Sequence, residues 1–197
     1  MKQIVIASGN AGKLREIAAI LAPLGVEPVP QSRFNVPEAE EPYPTFVENA
    51  LTKARNAARH TGMPALADDS GICVEALGGA PGVISARYAG EPRSDERNNQ
   101  KLIAALAGQA NKRAYYYAAL VLVRHADDPQ PLIAEGRWAG EVIAQPRGAN
   151  GFGYDPYFLL PEFGQTAAEL PPEKKNQVSH RALALQRLAA LLREQPL

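Results

Sequence analysis

The sequence contains a single cysteine, Cys73, and no excess of charge of either sign. One cysteine excludes an internal disulfide framework. The 21 Lys and Arg residues match the 21 Asp and Glu residues, so no net charge would draw the chain onto nucleic acid or an anionic membrane. No apolar run approaches the roughly 20 residues that span a bilayer. Neither His60 nor His125 has a partner at metal-ligand spacing, so zinc is not expected.

The length and the apolar content predict a compact folded protein. The chain has 197 residues, of which 46% are hydrophobic, enough for a full core. We expect a single domain over residues 1–197. The first ten residues, MKQIVIASGN, begin a strand pattern without a signal-peptide cleavage site, so we expect a cytoplasmic protein.

Strand and helix patterns alternate along the chain and predict an α/β fold with a mixed central sheet flanked by helices. Thr45 and Glu48 are placed as a capping box at the start of one helix. Helices are predicted over Lys13–Leu24, Thr45–His60, Ser94–Leu106 and Ser179–Arg193. Strands are predicted over Gln3–Ala7, Val26–Val29, Ala65–Ala67, Tyr115–Arg124, Leu132–Glu135 and Glu141–Ala144.

The motif SGNAGK, over Ser8–Lys13, lies between the first strand and the first helix. Backbone N–H groups, a helix N-terminus and a lysine meet there, which is a recurring arrangement for phosphate binding. Only two residues separate Gly9 from Gly12, so the motif is not a Walker loop. By itself it equally fits an ordinary strand-to-helix turn.

The motif ADDSG, over Ala67–Gly71, places two acids after a short apolar strand. Carboxylates at the C-terminal end of a strand point into the crevice where α/β sheets bind ligands, and Mg²⁺ prefers hard oxygen ligands. The alternative is an Asx-turn that stabilises a chain reversal. Further carboxylates lie on the loop Val36–Pro44, at Glu38, Glu40 and Glu41, where a solvated acidic loop is the alternative.

Two later segments also combine polar, aromatic and basic residues. GANGFGYDP, over Gly148–Pro156, joins glycines to aromatic side chains that could stack on a base, or that could simply fill the core. KNQVSHRAL places His180 and Arg181 in the first turn of the last helix, where cations oppose the helix dipole. An anionic ligand would resolve that conflict, whereas solvated side chains are the alternative.

Taken together, these segments resemble the inosine triphosphate pyrophosphatases, also called non-canonical purine NTP pyrophosphatases. The resemblance extends from residue 8 to residue 181, with the motifs in the order of the family. It implies a mixed-sheet α/β fold with two lobes, a nucleotide cleft between them, and a homodimer. The matching stretches are SGNAGKLREI, EEPYPTFVENALTKA, ALADDSG, LGGAPGVISARYAG, GFGYDP and KNQVSHR.

The resemblance also implies roles for individual residues. Asp69 matches the metal ligand and proton acceptor, with Asp68 as its helper, and Glu40 matches the second acid for Mg²⁺, with Glu41 as the alternative. The substrate-binding positions implied by the resemblance are Ser8, Gly9, Asn10, Ala11, Gly12, Lys13, Lys53, Ser70, Phe152, Gly153, Tyr154, Asp155, Lys175, His180 and Arg181. Phe152 is expected to stack on the base, and His180 and Arg181 to lie near the purine 6-position.

The expected reaction is hydrolysis of ITP, dITP or XTP to the monophosphate and pyrophosphate, with Mg²⁺ as the cofactor. The expected partners are the nucleoside triphosphate and a second copy of the chain. Binding to nucleic acid or to a membrane is not expected. Two alternatives remain at this stage: a pyrophosphatase for a different modified nucleotide, and a regulatory module that binds a nucleotide without turnover. The acid pair argues against the second, because binding alone needs cations more than carboxylates.

Overall fold

A computed structural model describes residues 2–196, and its central element is a seven-stranded mixed sheet. The strand order is β2-β1-β3-β4-β5-β6-β7. β1 pairs in parallel with β2 and β3, whereas β6 pairs antiparallel with β5 and β7. The predicted α/β class with a mixed sheet is confirmed. The strands are β1 Lys2–Ile6, β2 Val26–Pro30, β3 Ala65–Val74, β4 Arg113–Val123, β5 Leu132–Val142, β6 Phe158–Leu160 and β7 Gln165–Thr166.

Within residues 2–196 five α-helices accompany the sheet, and side-chain caps explain where three of them begin, the third being capped by Ser94. Asn10 caps the first helix by accepting from the N–H groups of Gly12 and Lys13. Thr45 caps the second by accepting from the N–H of Glu48, as the capping-box pattern predicts. The helices are α1 Ala11–Leu21, α2 Phe46–Thr61, α3 Asp95–Ala105, α4 Pro172–Val178 and α5 His180–Glu194. None of these helices is long and apolar enough to cross a membrane.

The chain forms two compact units. The first contains residues 2–69, 118–136 and 180–196, and the second contains residues 70–117 and 137–179. Three of the four boundaries fall inside β3, β4 and β5, and the fourth falls between α4 and α5. The expectation of one domain over residues 1–197 stays a prediction.

The first unit packs helices against both faces of β1. Successive side chains of a strand point to opposite faces, so Ile4 and Ile6 join one apolar cluster while Val5 and Ala7 join another. The cluster around Ile4 includes residues of α1 and α5. The opposite cluster is filled largely by small residues of α2, which let that helix approach the sheet closely: Ala50, Ala54, Ala57 and Ala58.

The second unit has an aromatic core. The Phe158 ring lies 4.6 Å from Tyr116, edge to face, and 5.7 Å from Trp138, measured between ring centroids. Along β5 buried and exposed residues alternate, which shows that one face of this strand is covered. Leu102 and Leu106, at the end of α3, pack into the same cluster.

Two boundary predictions are wrong. Leu132–Glu135 and Glu141–Ala144 are predicted as separate strands, but one strand, β5, runs from the first through Gly136 and Gly140 into the second and ends at Val142. The predicted strand Ala65–Ala67 continues to Val74, so the acid pair lies inside β3 rather than beyond its C-terminal end. The Asx-turn alternative fails for the same reason.

Gly136 lies where β5 passes the start of α5 in the first unit. An ideal Cβ at this position would overlap the carbonyl oxygen of His180 and would lie 2.8 Å from the backbone nitrogen of Ala184. Both obstacles are backbone atoms and cannot rotate away. We expect Gly136→Ala to lower the free energy of unfolding by about 3 kcal/mol, measured by urea denaturation.

The control for this prediction is Gly164→Ala. Gly164 has a φ of +63° and no atom within 4 Å of an ideal Cβ, so only backbone strain of about 1 kcal/mol is expected. Equal losses of stability in the two variants would show that the close approach at Gly136 has no energetic consequence.

Candidate active site

Two lysines of the first unit approach the acid pair, Asp68 and Asp69, from two helices. Lys13, on α1, places its Nζ 2.7 Å from Asp68 Oδ1. Lys53, on α2, places its Nζ 2.9 Å from Asp69 Oδ1 and donates to the backbone carbonyl of Asp68 at 3.0 Å. The predicted phosphate loop, the second helix and the acid motif therefore contribute charged groups to one site.

Asp68 is fully buried and bound by two cations. Its Oδ2 lies 2.7 Å from Arg181 Nε, and the Arg181 side chain is only 2% exposed. Burial alone would raise the pKa of Asp68, but the charges and hydrogen bonds of Arg181 and Lys13 outweigh it and hold the pKa well below its usual value. Arg181 also pairs with Glu16 of α1. Asp68 is therefore an ionised counter-ion at neutral pH.

Asp69 differs from its neighbour because one of its carboxylate oxygens is unsatisfied. Oδ1 accepts a hydrogen bond from Lys53, whereas Oδ2 is buried and has no hydrogen-bond partner. Burial raises the pKa of Asp69 and the charge of Glu41 adds to this, while Lys53 and Lys13 lower it without reversing the shift. A buried oxygen without a partner is unfavourable in a folded protein. Asp69 therefore presents a hard oxygen donor that is suited to a metal ion or a proton.

The acidic loop that follows β2 supplies further carboxylates to the first unit. Glu41 Oε1 lies 3.5 Å from Lys53 Nζ. Glu38 approaches the phosphate loop: an ideal Cβ added to Gly9 would lie 3.3 Å from Glu38 Oε1. Glu40, predicted as the second metal ligand, is exposed. Of the two neighbouring acids, Glu41 is the one that the structure brings to Lys53.

Within residues 2–196, no group of three or more His, Cys, Asp or Glu side chains forms a metal-binding cluster. Mg²⁺ does not require one, because it usually keeps several waters and takes one or two carboxylates together with substrate phosphates. The unpartnered oxygen of Asp69 and the nearby carboxylate of Glu41, both beside Lys53, fit that pattern.

The loop Ser8–Lys13 is organised around Asn10. Its Oδ1 accepts from the N–H groups of Gly12 and Lys13 at 2.9 and 3.1 Å, while Ser8 Oγ accepts from the N–H of Asn10 at 3.1 Å. Three backbone donors thus fix the loop itself, with Gly9 and Ala11 exposed beside them. The Lys13 ammonium is the cation of this segment, and cations of this kind form charge-assisted hydrogen bonds to phosphate.

In the second unit, Asp155 organises the loop Gly148–Pro156. Asp155 is buried, and its Oδ1 accepts from the hydroxyl of Tyr116 at 3.1 Å. Its Oδ2 accepts from Lys175 Nζ at 2.7 Å and from the N–H of Phe152 at 3.0 Å. Asp155 therefore fixes the loop, and the base contact that the resemblance implies for it stays a prediction.

The two aromatic residues of this loop have different environments. Tyr154 is buried in the core, and its hydroxyl donates to the carbonyl of Ser85 at 2.7 Å. Phe152 is only partly buried, and Lys175 Nζ lies 5.0 Å from its ring centroid. The core-filling interpretation holds for Tyr154, whereas the ring of Phe152 can stack on a base.

The remaining predicted residues are mostly buried. His180 and Arg181 are 5% and 2% exposed, which excludes the interpretation that both are solvated. Lys175, at 5%, lies in α4, the short helix that precedes α5. Ser70 follows Asp69 within β3 and is partly exposed. The guanidinium of Arg181 binds the carboxylates of Asp68 and Glu16. Its place near the purine 6-position stays a prediction.

Two residues outside the predicted set, Glu16 and Tyr116, contact predicted site residues. Glu16 pairs with Arg181, and its position three residues after Lys13 places both on one face of α1. The three-residue spacing from Lys13 is the sequence signal that places Glu16 on the same face of α1 as the lysine. Tyr116 was predicted as a strand residue without a role, although its hydroxyl binds Asp155. Its partner lies 39 residues away in the chain.

Comparison with known proteins gives concordant matches over nearly the whole chain. A model of the Ham1 family matches residues 4–191. The dITP/XTP pyrophosphatase of Nitrosomonas europaea is 66% identical over 194 residues, which cover 98% of this chain and 96% of that protein. The dITP/XTP pyrophosphatase of Aromatoleum aromaticum is 62% identical over 195 residues, covering 99% and 98%.

The fold is shared as well. The solved structure of a HAM1 protein from Coxiella burnetii has a TM-score of 0.91 and 48% sequence identity, and the match covers 98% of this chain and 100% of that one. The chain therefore belongs to the Ham1 family.

Proposed function

We propose that this chain hydrolyses ITP, dITP and XTP to the nucleoside monophosphate and pyrophosphate, with Mg²⁺ as the cofactor. The observation that carries the proposal is the acid pair between two lysines, in which Asp69 Oδ2 is buried without a hydrogen-bond partner. Relatives more than 60% identical that bear the name dITP/XTP pyrophosphatase support the substrate assignment.

Asp69 is the proposed metal ligand and proton acceptor. Asp69, with Glu41 or Glu40 as the second acid, would hold Mg²⁺, which when bound neutralises phosphate charge and lowers the pKa of water. The water oxygen forms a bond to the α-phosphorus, and the bond from that phosphorus to the bridging α–β oxygen breaks. Asp69 takes the proton, for which the raised pKa that burial gives it is suited. Pyrophosphate leaves with the electron pair of the broken bond.

Lys13 and Lys53 are the proposed stabilisers of the leaving group. Both ammonium groups lie within 3 Å of the acid pair, so positive charge is fixed where the triphosphate would meet the metal ligand. Preorganised cations of this kind act on the charge that develops in the transition state. Gly9, Asn10 and the rest of the loop Ser8–Lys13 would hold phosphate oxygens.

For the base, the resemblance implies stacking on Phe152 and polar contacts with Lys175 and His180. A 6-oxo purine accepts a hydrogen bond, whereas the 6-amino group of adenine would leave a buried donor unpaired, which rejects ATP strongly. Arg181 is assigned to the acid pair because Asp68 and Glu16 hold its guanidinium. Ser70 completes the proposed substrate contacts.

We further propose a homodimer that acts in the cytoplasm, where free nucleotides are its substrate. The dimer is implied by the resemblance to the inosine triphosphate pyrophosphatases. The balanced charge supports a free nucleotide rather than a nucleic acid as the partner.

The proposal is tested by measuring monophosphate and pyrophosphate release from ITP, dITP, XTP, GTP, ATP and dTTP, with Mg²⁺ or with EDTA. We expect metal-dependent turnover of ITP, dITP and XTP with kcat/KM on the order of 10² or more above that for ATP. Tight ITP binding without turnover would favour a sensor. Preference for a pyrimidine nucleotide or for ATP would preserve the reaction but refute the base assignment.

A further inference from the structure

Helix α3 holds both polar groups of one residue in the loop Gly148–Pro156. The N–H of Gly153 donates to Asp95 Oδ2 at 2.9 Å. The carbonyl oxygen of the same glycine accepts from Asn99 Nδ2 at 3.0 Å. Asp95 and Asn99 are separated by four residues, so they share one face of α3. This contact lies entirely within the second unit.

The orientation of the Asn99 amide is fixed by its partners. Its Nδ2 also donates to the backbone carbonyl of Asp95 at 2.9 Å, so one amide nitrogen serves two carbonyl oxygens. Its Oδ1 is buried without a hydrogen-bond partner, and the residue is 6% exposed. A flipped amide would turn its oxygen toward two carbonyl oxygens and lose both bonds. In the amide orientation that binds Gly153, Asn99 Oδ1 is therefore left as an unsatisfied acceptor.

Gly153 lies between the two aromatic residues of the loop, the partly buried Phe152 and the buried Tyr154. Its φ of +64° is a left-handed conformation that favours glycine. On its C-terminal side, Tyr154 is anchored in the core and Asp155 binds the N–H of Phe152. The carboxylate of Asp155 and the two groups on α3 therefore fix the backbone on both sides of the Phe152 side chain.

We propose that Asp95 and Asn99 are positioning residues that set the orientation of the Phe152 ring for stacking on the substrate base. This inference rests on the proposed function, in which Phe152 meets the base. Neither residue touches the substrate. Their effect passes through the backbone of Gly153, so their loss should weaken recognition of the base and leave the chemistry at the phosphates intact.

The test compares Asp95→Ala, Asn99→Ala and Asp95→Asn in ITP hydrolysis. We expect the two alanine variants to raise KM for ITP by about 10-fold while kcat changes by less than about 2-fold. Asp95→Asn retains an oxygen that can accept from Gly153, so its KM should return close to the wild-type value. Glu96→Gln, which removes a neighbouring charge of the same helical turn, and Gln100→Ala, at an exposed position of α3, are the controls.

Product inhibition separates recognition of the base from recognition of phosphate. In the alanine variants we expect IMP to inhibit about 10-fold less well, with inhibition by pyrophosphate unchanged. Lower thermal stability with KM and IMP inhibition unchanged would reduce both residues to a structural role and overturn the inference. Failure of Asp95→Asn to restore KM would overturn it too. A wild-type protein that neither hydrolyses ITP nor binds IMP would instead refute the proposed function itself.

Discussion

Replacing Asp69 by asparagine is expected to lower kcat for ITP by about 10³-fold or more. The substitution removes the charge of the one residue that is proposed both to bind the metal and to accept the proton. Asparagine has nearly the same shape, and its side-chain oxygen can still accept from Lys53, as Asp69 Oδ1 does at 2.9 Å. The unpartnered Oδ2 is the atom that the substitution alters most. Pyrophosphate release measured over a titration of Mg²⁺ would show the loss.

The same variant is expected to be at least as stable as the wild type. Burial raises the pKa of Asp69 in the folded protein, so above the ordinary pKa of 3.8 its ionised form destabilises the fold. Removing that charge relieves the cost at neutral pH. Urea denaturation at pH 7 in EDTA should therefore give an equal or higher midpoint. Loss of activity with preserved stability is the pattern of a functional residue held in an unfavourable state.

Asp127→Asn is the matched control for Asp69→Asn. Asp127 belongs to the same unit and its side chain is 91% exposed, so the same chemical change should alter neither turnover nor stability. If Asp69→Asn retained metal-dependent turnover near that of the wild type, the role assigned to Asp69 would be wrong. A large loss of stability in this variant would contradict the energetic argument instead.

The sequence predicted well those features that depend on neighbouring residues. The capping box at Thr45 and Glu48 lies within one turn, and β1 is a short β-branched run, so both could be read locally. The acid motif and Lys13 were identified from segments typical of ligand binding. The contact of 2.7 Å between Lys13 and Asp68 could not be predicted, because the two residues are 55 positions apart in the sequence and only the fold brings them together.

The extent of β3 could not be predicted from its pattern. Two aspartates and a serine in succession indicate the end of a buried strand, yet β3 continues through them to Val74. It can do so because Lys13, Lys53 and Arg181 bring compensating charges from other elements. A local pattern carries no information about partners that are so far away in the sequence. Conflicts of this kind are expected at functional positions.

The contacts of α3 illustrate a different limit. Asp95 and Asn99 are typical of the first turns of a helix, where acids and amides are common near the N-terminus. Nothing in their spacing indicates that they hold Gly153, which lies 54 residues beyond Asn99. Similarly, Glu41 rather than Glu40 faces Lys53 because of the path of an acidic loop that has no periodicity to read.

Replacing Asp68 by asparagine is expected to affect stability far more than replacing Asp69. The change leaves Arg181, 2% exposed, without its buried counter-charge on that side, and it also removes the ion pair to Lys13. Removing one partner of a buried ion pair typically costs about 3–5 kcal/mol, because the other charge remains buried and uncompensated. Urea denaturation of Asp68→Asn at pH 7 should show a loss of this size.

The pH dependence of that loss provides a second measurement. The pKa of Asp68 lies well below 3.8 in the folded protein, so its contribution to stability is fully present above about pH 5 and is lost as the pH falls toward the folded pKa. The difference in unfolding free energy between wild type and Asp68→Asn should thus stay constant from pH 5 to 8 and shrink below about pH 4. A difference that shrank between pH 7 and 5 would contradict this assignment.

The double variant Asp68→Leu with Arg181→Met distinguishes the loss of the whole ion pair from the loss of one of its two charges. Replacing both members of a buried ion pair by apolar side chains is often neutral or stabilising, because no uncompensated charge remains. Lys13 and Glu16, which lose these ion-pair partners in this variant, have side chains that are 15% and 14% exposed, so water can solvate both charges. We expect the double variant to recover much of the stability that Asp68→Asn loses. Its turnover should nevertheless remain low, because the acid pair that holds Lys13 beside Asp69 has been removed. Recovery of turnover together with stability would show that Asp68 has no role in the proposed site.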